Sequence, residues 1–157
     1  MIQTKVSQLL VVDTTAEYLS GAVTRGEKVI AKVHRKLPMM HSTRLVPAIA
    51  NILKKARMKL ADLDGFCVSI GPGSFTGLRI GVTTIKGLAY ATGKPIVTVP
   101  TLDAIAHNAI KHKGIICPIL DARKGKVYAC IYRSDGAKLK RLSKYLLLPL
   151  EELAAML

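Results

Sequence analysis

A chain of 157 residues, half of them hydrophobic, suits one domain or one lobe of a larger fold. Aromatics make up only 4% and Trp is absent, so aliphatic side chains must fill the core, and no apolar run approaches the roughly 18 residues of a bilayer span. The net charge of +14, from 24 basic and 10 acidic residues, could attract nucleic acid or an acidic protein, but charge alone gives attraction without recognition.

The charge is unevenly placed. Residues 25–59 hold ten basic residues and one acid, Glu27, and residues 111–144 hold ten and two, Asp121 and Asp135. Between them, residues 60–110 balance. Met1–Lys5 lacks the long apolar stretch of a signal peptide, so a cytoplasmic protein is expected. Cys67, Cys117 and Cys130 all lie in strand-like apolar runs without a Cys-x-x-Cys pair, as expected of buried, reduced thiols.

Taken in order, Leu9–Val12 predicts a central strand that ends at Asp13-Thr14-Thr15. Strands over Leu19–Thr24 and Val29–Arg35, joined by a turn at Arg25–Lys28, complete an antiparallel meander that Leu37-Pro38 ends. A helix over 43–56 follows, with Ser42 as its cap, an apolar face of Leu45, Ile49, Ile52 and Ala56, and Pro47 expected in or near its first turn. Phe66–Ile70 predicts a buried strand, Leu78–Thr92 a helix, and Ile96–Val99 another strand. Thr101 is placed to cap a helix over Leu102–Ile110. A strand over Ile115–Leu120, a turn at 121–125, a returning strand over Lys126–Tyr132, a polar segment at 134–144 and a helix over Leu150–Leu157 close the chain. A meander followed by alternating helices and strands gives an α/β fold with a mixed sheet, of ribonuclease-H-like, actin-like topology. Residues 1–145 form the main lobe, and 146–157 the start of a C-terminal helix or a shortened second lobe.

The most informative stretch is Gly71–Gly81, Gly-Pro-Gly-Ser-Phe-Thr-Gly-Leu-Arg-Ile-Gly, between a strand and a helix. Such a turn can bind phosphate at a helix N-terminus or simply be a tight turn. It matches neither G-x-x-x-x-G-K-[ST] nor G-x-S-x-G, and Pro72 removes an N–H. Gly73 and Ser74 remain weak nucleotide-binding candidates, with Ser74 or Thr76 acting as a helix cap the simpler role. At about 100° per residue, Leu78, Val82, Ile85 and Ala89 form a face suited to the sheet, while Gly77, Gly81, Thr84, Leu88 and Ala91 form a second, small-residue face. That second face could meet another helix of the chain or another chain. Arg79, Thr83, Lys86 and Tyr90 form the polar face. Asp13 and Asp121 end strands, where a turn role competes with metal binding, and His107 and His112 lack metal-ligand spacing.

Several segments together resemble the TsaB (YeaZ) family: Leu10–Thr15, His41-Ser42 with Leu45, Gly71–Gly81 with Lys86–Ala89, Pro100–Ala104 and Leu120–Tyr128. The resemblance implies an actin-like fold and a non-catalytic scaffold subunit. It implies a TsaD-like partner, a TsaE-like ATPase in a larger assembly, and a role in forming N6-threonylcarbamoyladenosine beside the anticodon of tRNA. It also implies partner contact through the first two helices. On that footing His41, Leu45, Gly77, Arg79, Gly81, Thr84 and Lys86 are the expected interface residues, and a homodimer through the same surface is the expected fallback. No catalytic residue, metal or cofactor is expected. The alternatives are a nucleotide-binding phosphotransferase of the same fold and a basic RNA-binding module.

Overall fold

Leu9–Val12 does become the middle of a sheet. The structure is a computed structural model that describes residues 7–36 and 41–156, the side chains of 41 and 42 excepted. The expectations for Met1–Lys5, Leu37-Pro38 and the Ser42 cap therefore lie outside the described residues. The chain forms two compact units, Met1–Ile70 with Ser74–Val99, and Gly71–Gly73 with Pro100–Leu157.

In the first unit, β1 (Gln8–Asp13), β2 (Tyr18–Arg25) and β3 (Lys28–Lys36) form the antiparallel meander. β4 (Gly65–Ser69) and β5 (Ile96–Val99) add in parallel, giving the order β3-β2-β1-β4-β5. Alternation aims Leu10, Val12, Leu19, Val23, Phe66 and Val68 at one face. There they meet Leu45, Ile49, Ile52 and Leu53 of α1 (His41–Ala56) and Ile85 and Ala89 of α2 (Phe75–Thr92). Burying each of the larger side chains contributes about 1.5–3 kcal/mol. Pro47 stands inside α1 beyond its first turn, where it leaves one helical carbonyl without its usual N–H partner.

The end of α2 is tied to the chain leading into β4. Gly93, at φ 66°, caps α2 in the left-handed conformation, and the next residue, Lys94, donates through Nζ to the carbonyls of Leu60 (2.8 Å), Ala61 (2.5 Å) and Leu63. One ammonium thus binds two carbonyls of the 3-10 turn at Leu60–Asp62 and that of Leu63, which follows it.

The second unit departs from expectation in detail. The strand expected over Ile115–Leu120 is split into β6 (Gly114–Ile116) and β7 (Ile119–Arg123), because Pro118 has no N–H for a ladder. The strand expected over Lys126–Tyr132 is likewise split into β8 (Lys126–Ala129) and β9 (Tyr132–Ser134). At the break, the Ile131 N–H is taken by Ser143 Oγ (2.9 Å) and its carbonyl by the Leu142 N–H (2.8 Å). The polar segment at 134–144 hides β10 (Leu139–Arg141). The resulting sheets are β10-β9-β6 and, with β11 (Leu146–Pro149), β11-β8-β7. The turn expected at 121–125 narrows, since β7 runs to Arg123 and Asp121 Oδ1 accepts the Arg123 N–H at 2.7 Å.

α3 (Thr101–Asn108) starts one residue earlier than expected, after Pro100, so Thr101 is not its cap; the hydroxyl of Thr101 is buried without a partner among the described residues. Residues 146–157 contribute β11 and α4 (Leu150–Met156), whose Leu153 packs on Ala129 and Leu148. Asp103 of α3 holds the unit together. Its Oδ1 accepts the hydroxyls of Tyr132 and Tyr145 (2.8 Å), and Arg141 donates to the Tyr145 hydroxyl at 2.6 Å. Burial first, then the Asp103 carboxylate, push both phenols above the usual tyrosine range.

Two measurements check these ties. Lys94→Met removes a donor shared by three carbonyls, one of which, Leu60, keeps the Leu63 N–H, and should cost about 1–2 kcal/mol in denaturant unfolding. A phenol whose pKa is raised by folding supports the fold below its unfolded pKa of about 10 and withdraws that support as pH rises further. Stability should therefore fall above about pH 10, and Tyr132→Phe should flatten that fall while lowering stability at neutral pH.

Candidate functional site

The glycine stretch and the Asp13-Thr14-Thr15 corner turn out to be each other's partners. The Ser74 N–H donates to the Thr15 carbonyl at 2.6 Å, and Thr14 Oγ1 donates to the Gly77 carbonyl at 2.7 Å. Gly77 and Gly81 lie against Thr14. A Cβ on Gly77 would stand 1.9 Å from the Thr14 carbonyl oxygen, and one on Gly81 2.3 Å from Thr14 Oγ1. Ser74 caps α2, its Oγ accepting the Gly77 N–H at 3.2 Å, so the helix begins at Phe75, three residues before the expected Leu78. Ser74 thus has its N–H engaged inside the unit and its Oγ serving as the helix cap.

This geometry redistributes the expected interface residues. Leu45 is only 1% exposed and belongs to the core. Gly77 and Gly81 are buried, so their smallness serves the contact with Thr14 rather than approach by a second chain. Thr84 is half-buried, and the His41 side chain lies outside the described residues. Arg79 and Lys86 are exposed. They belong to a stripe along the outer side of α2 that also carries Phe75, Thr83, Gly87 and Tyr90. Phe75 is 66% and Tyr90 93% exposed, and the Arg79 guanidinium lies 3.9 Å from the centre of the Phe75 ring. Gly87 has open space around it. On α1, Val46 is 57% exposed. Periodicity had shown Arg79, Thr83, Lys86 and Tyr90 as polar; the exposed Phe75 was missed because the helix was expected to start later.

Little in the first unit is arranged for covalent chemistry. Asp13 Oδ1 accepts the backbone N–H and hydroxyl of Thr15, both at 2.7 Å, which is a turn role. A hollow of about 330 Å³ is lined by Asp13 together with Val11, Ser20, Ala22, Lys32 and His34, which lie on the sheet face away from α1 and α2. The three cysteines are free thiols; Cys130 is buried, while Cys67 and Cys117 are half-buried with pKa values raised by burial. Among the described residues no group of three or more His, Cys, Asp or Glu is placed to hold a metal, and no helix is long and apolar enough to cross a membrane.

A family model described as "TsaD: tRNA N6-adenosine threonylcarbamoyltransferase" matches residues 35–156. The tRNA threonylcarbamoyladenosine biosynthesis protein TsaB of Bacillus subtilis is 39% identical over 134 residues, 85% of this chain and 58% of that protein. The chain belongs to the TsaB (YeaZ) family. The structure of YeaZ from Pseudomonas aeruginosa superposes with a TM-score of 0.82 at 29% identity, over 91% of this chain and 68% of that one. The ROK hexokinase of Thermus thermophilus, at 15% identity, a TM-score of 0.53 and coverage of 87% and 49%, shares the fold alone. These matches bear out the actin-like fold class. The chain spans less than two thirds of the length of the curated relatives it matches.

The two kinds of glycine in α2 should respond oppositely to the same change. Gly77→Ala forces a methyl into the Thr14 backbone and should cost more than about 3 kcal/mol or prevent folding. Gly87→Ala meets open space and should leave stability unchanged or raise it by up to about 1 kcal/mol. Thermal unfolding of the two variants separates these outcomes.

Proposed function

We propose that this chain is a non-catalytic subunit that binds a TsaD-like protein and supports formation of N6-threonylcarbamoyladenosine in tRNA, in the cytoplasm. The observation that carries this reading is the stripe on α2. A helix whose inner side is locked to β1 presents Phe75, Arg79, Lys86, Gly87 and Tyr90 outward, with exposed Val46 on α1. Exposed aromatic and arginine side chains around an open glycine suit a protein partner, and membership of the TsaB family supports a TsaD-like one. The heterodimer is the core, and a TsaE-like ATPase joins the larger assembly. In the absence of the partner, two copies of the stripe can pair as a homodimer.

The phosphotransferase alternative loses ground at two points. Asp13 Oδ1 is taken by the Thr15 turn, and the Ser74 N–H is used inside the fold.

The decisive experiment mixes the chain with the TsaD-like protein of the same organism and measures association by titration calorimetry. Gly87→Trp fills the open point of the stripe and should abolish binding, and Tyr90→Ala should weaken it about tenfold or more. Both variants should melt like the parent chain. Gly81→Trp is unsuitable, because it would break the Thr14 contact. Undiminished binding by Gly87→Trp would remove α2 from the interface. ATP turnover by the purified chain alone would restore the phosphotransferase reading.

A further inference from the structure

The outer face of the β10-β9-β6 sheet carries more positive charge than the one acid of its hairpin offsets. Ile115, Arg133 and Lys140 stand in one cross-strand row, with Arg133 paired to both neighbours. All three are exposed, while Tyr132 and Ser134 on either side of Arg133 are buried, which fixes the direction of the row. Two cations directly opposite on neighbouring strands destabilise a sheet. Lys138, exposed at the β9–β10 turn, adds a third, and the stem of Lys113 lies beside Gly136 in the same turn.

The only acid in the hairpin, Asp135, lies two residues from Arg133 on the same alternation and offsets one of the three charges. Asp135 Oδ1 accepts the N–H groups of Ala137 and Lys138, both at 2.8 Å, and these bonds lower its pKa. The one ion pair between described residues, Lys36 to Glu17 at 3.2 Å, is in the first unit.

We propose that this face is a docking surface for the sugar–phosphate backbone of folded RNA. The proposal deepens the role in tRNA modification and rests on that reading for the identity of the polyanion. Directly opposite residues on antiparallel neighbours are about 4.5–5.5 Å apart, so Arg133 and Lys140 present two cations to one short stretch of polyanion. The row offers no exposed aromatic for stacking bases, so it positions RNA without reading its sequence. Its one large apolar side chain, Ile115, gives a protein partner little to anchor on.

The test titrates the full chain with a labelled, unmodified tRNA transcript between 50 and 200 mM KCl. The variant Arg133→Gln/Lys140→Gln should bind at least about tenfold more weakly at 50 mM and lower the slope of log K against log salt by about two. Lys28→Gln/Lys32→Gln, which removes the same charge from the first unit, should keep the parent's slope. Equal losses in the two double variants would overturn the proposal, because net charge alone would then explain binding. Competition by polyglutamate as effective as that by RNA of equal charge would also overturn it, in favour of an acidic protein. Since the row is like-charged, the Arg133/Lys140 variant should melt no lower than the parent; if it does, Lys138→Gln, in the turn, replaces it with an expected slope change of about one. The Arg133/Lys140 variant should also bind the TsaD-like protein as the parent does. Loss of the salt slope with partner binding intact marks the RNA face, whereas failure of Gly87→Trp to affect the partner marks the scaffold reading, so the two fail separately.

Discussion

Everything in the first unit depends on one side chain lodged under a helix. Thr14 follows the central strand, donates its hydroxyl to the Gly77 carbonyl and fills the space that side chains at Gly77 and Gly81 would otherwise occupy. The adjacent Thr15 carbonyl receives the Ser74 N–H. α2 can therefore lie close to the corner after β1 only because two of its residues have no side chain. Its other buried residues, Ile85 and Ala89, then reach the same core as Leu10, Val12, Phe66 and Val68.

With its inner side consumed in this way, α2 has only its outer side to offer. Phe75, Arg79, Lys86 and Tyr90 are there because Gly77, Gly81, Ile85 and Ala89 are not. The division is set by helical geometry: residues four apart share a side, and an 18-residue helix has room for one stripe in and one stripe out. The second unit makes a comparable division within a sheet. Tyr132 and Ser134 go inward, where Tyr132 meets Asp103, and Arg133 goes outward with Lys140. A single reversal of alternation would exchange a buried phenol for a cation.

Much of the first unit was legible in the sequence because its signals are long and redundant. The apolar run before Asp13, the turn at Gly26 and the 3.6-residue periodicity of α1 each point to one element. The second unit was less so, since its strands are three to five residues long and their limits depend on single events. Pro118 ends a ladder, and Ser143, distant in sequence, takes the Ile131 N–H. The candidate site was half legible. Gly77 and Gly81 were recognisable as positions of close approach, but only the fold shows that the approaching group is Thr14, 63 residues earlier than Gly77. Leu45 was assigned to both the apolar face of α1 and the expected interface, and the structure keeps it in the core.

The Thr14–Gly77 link joins segments that meet only when β1, β4 and α2 are all in place. Its sequence separation means that a long loop must close before the inner side of α2 has anything to rest on. Opening α2 must in turn uncover Thr14 and the end of β1, so the amide hydrogens of these segments belong to one cooperative exchange unit rather than to a helix that frays by itself. A protein gripping the outer stripe of α2 would thus be sensing whether the whole five-stranded sheet has formed. Assembly would then act as its own quality control, admitting the subunit only when its framework is complete.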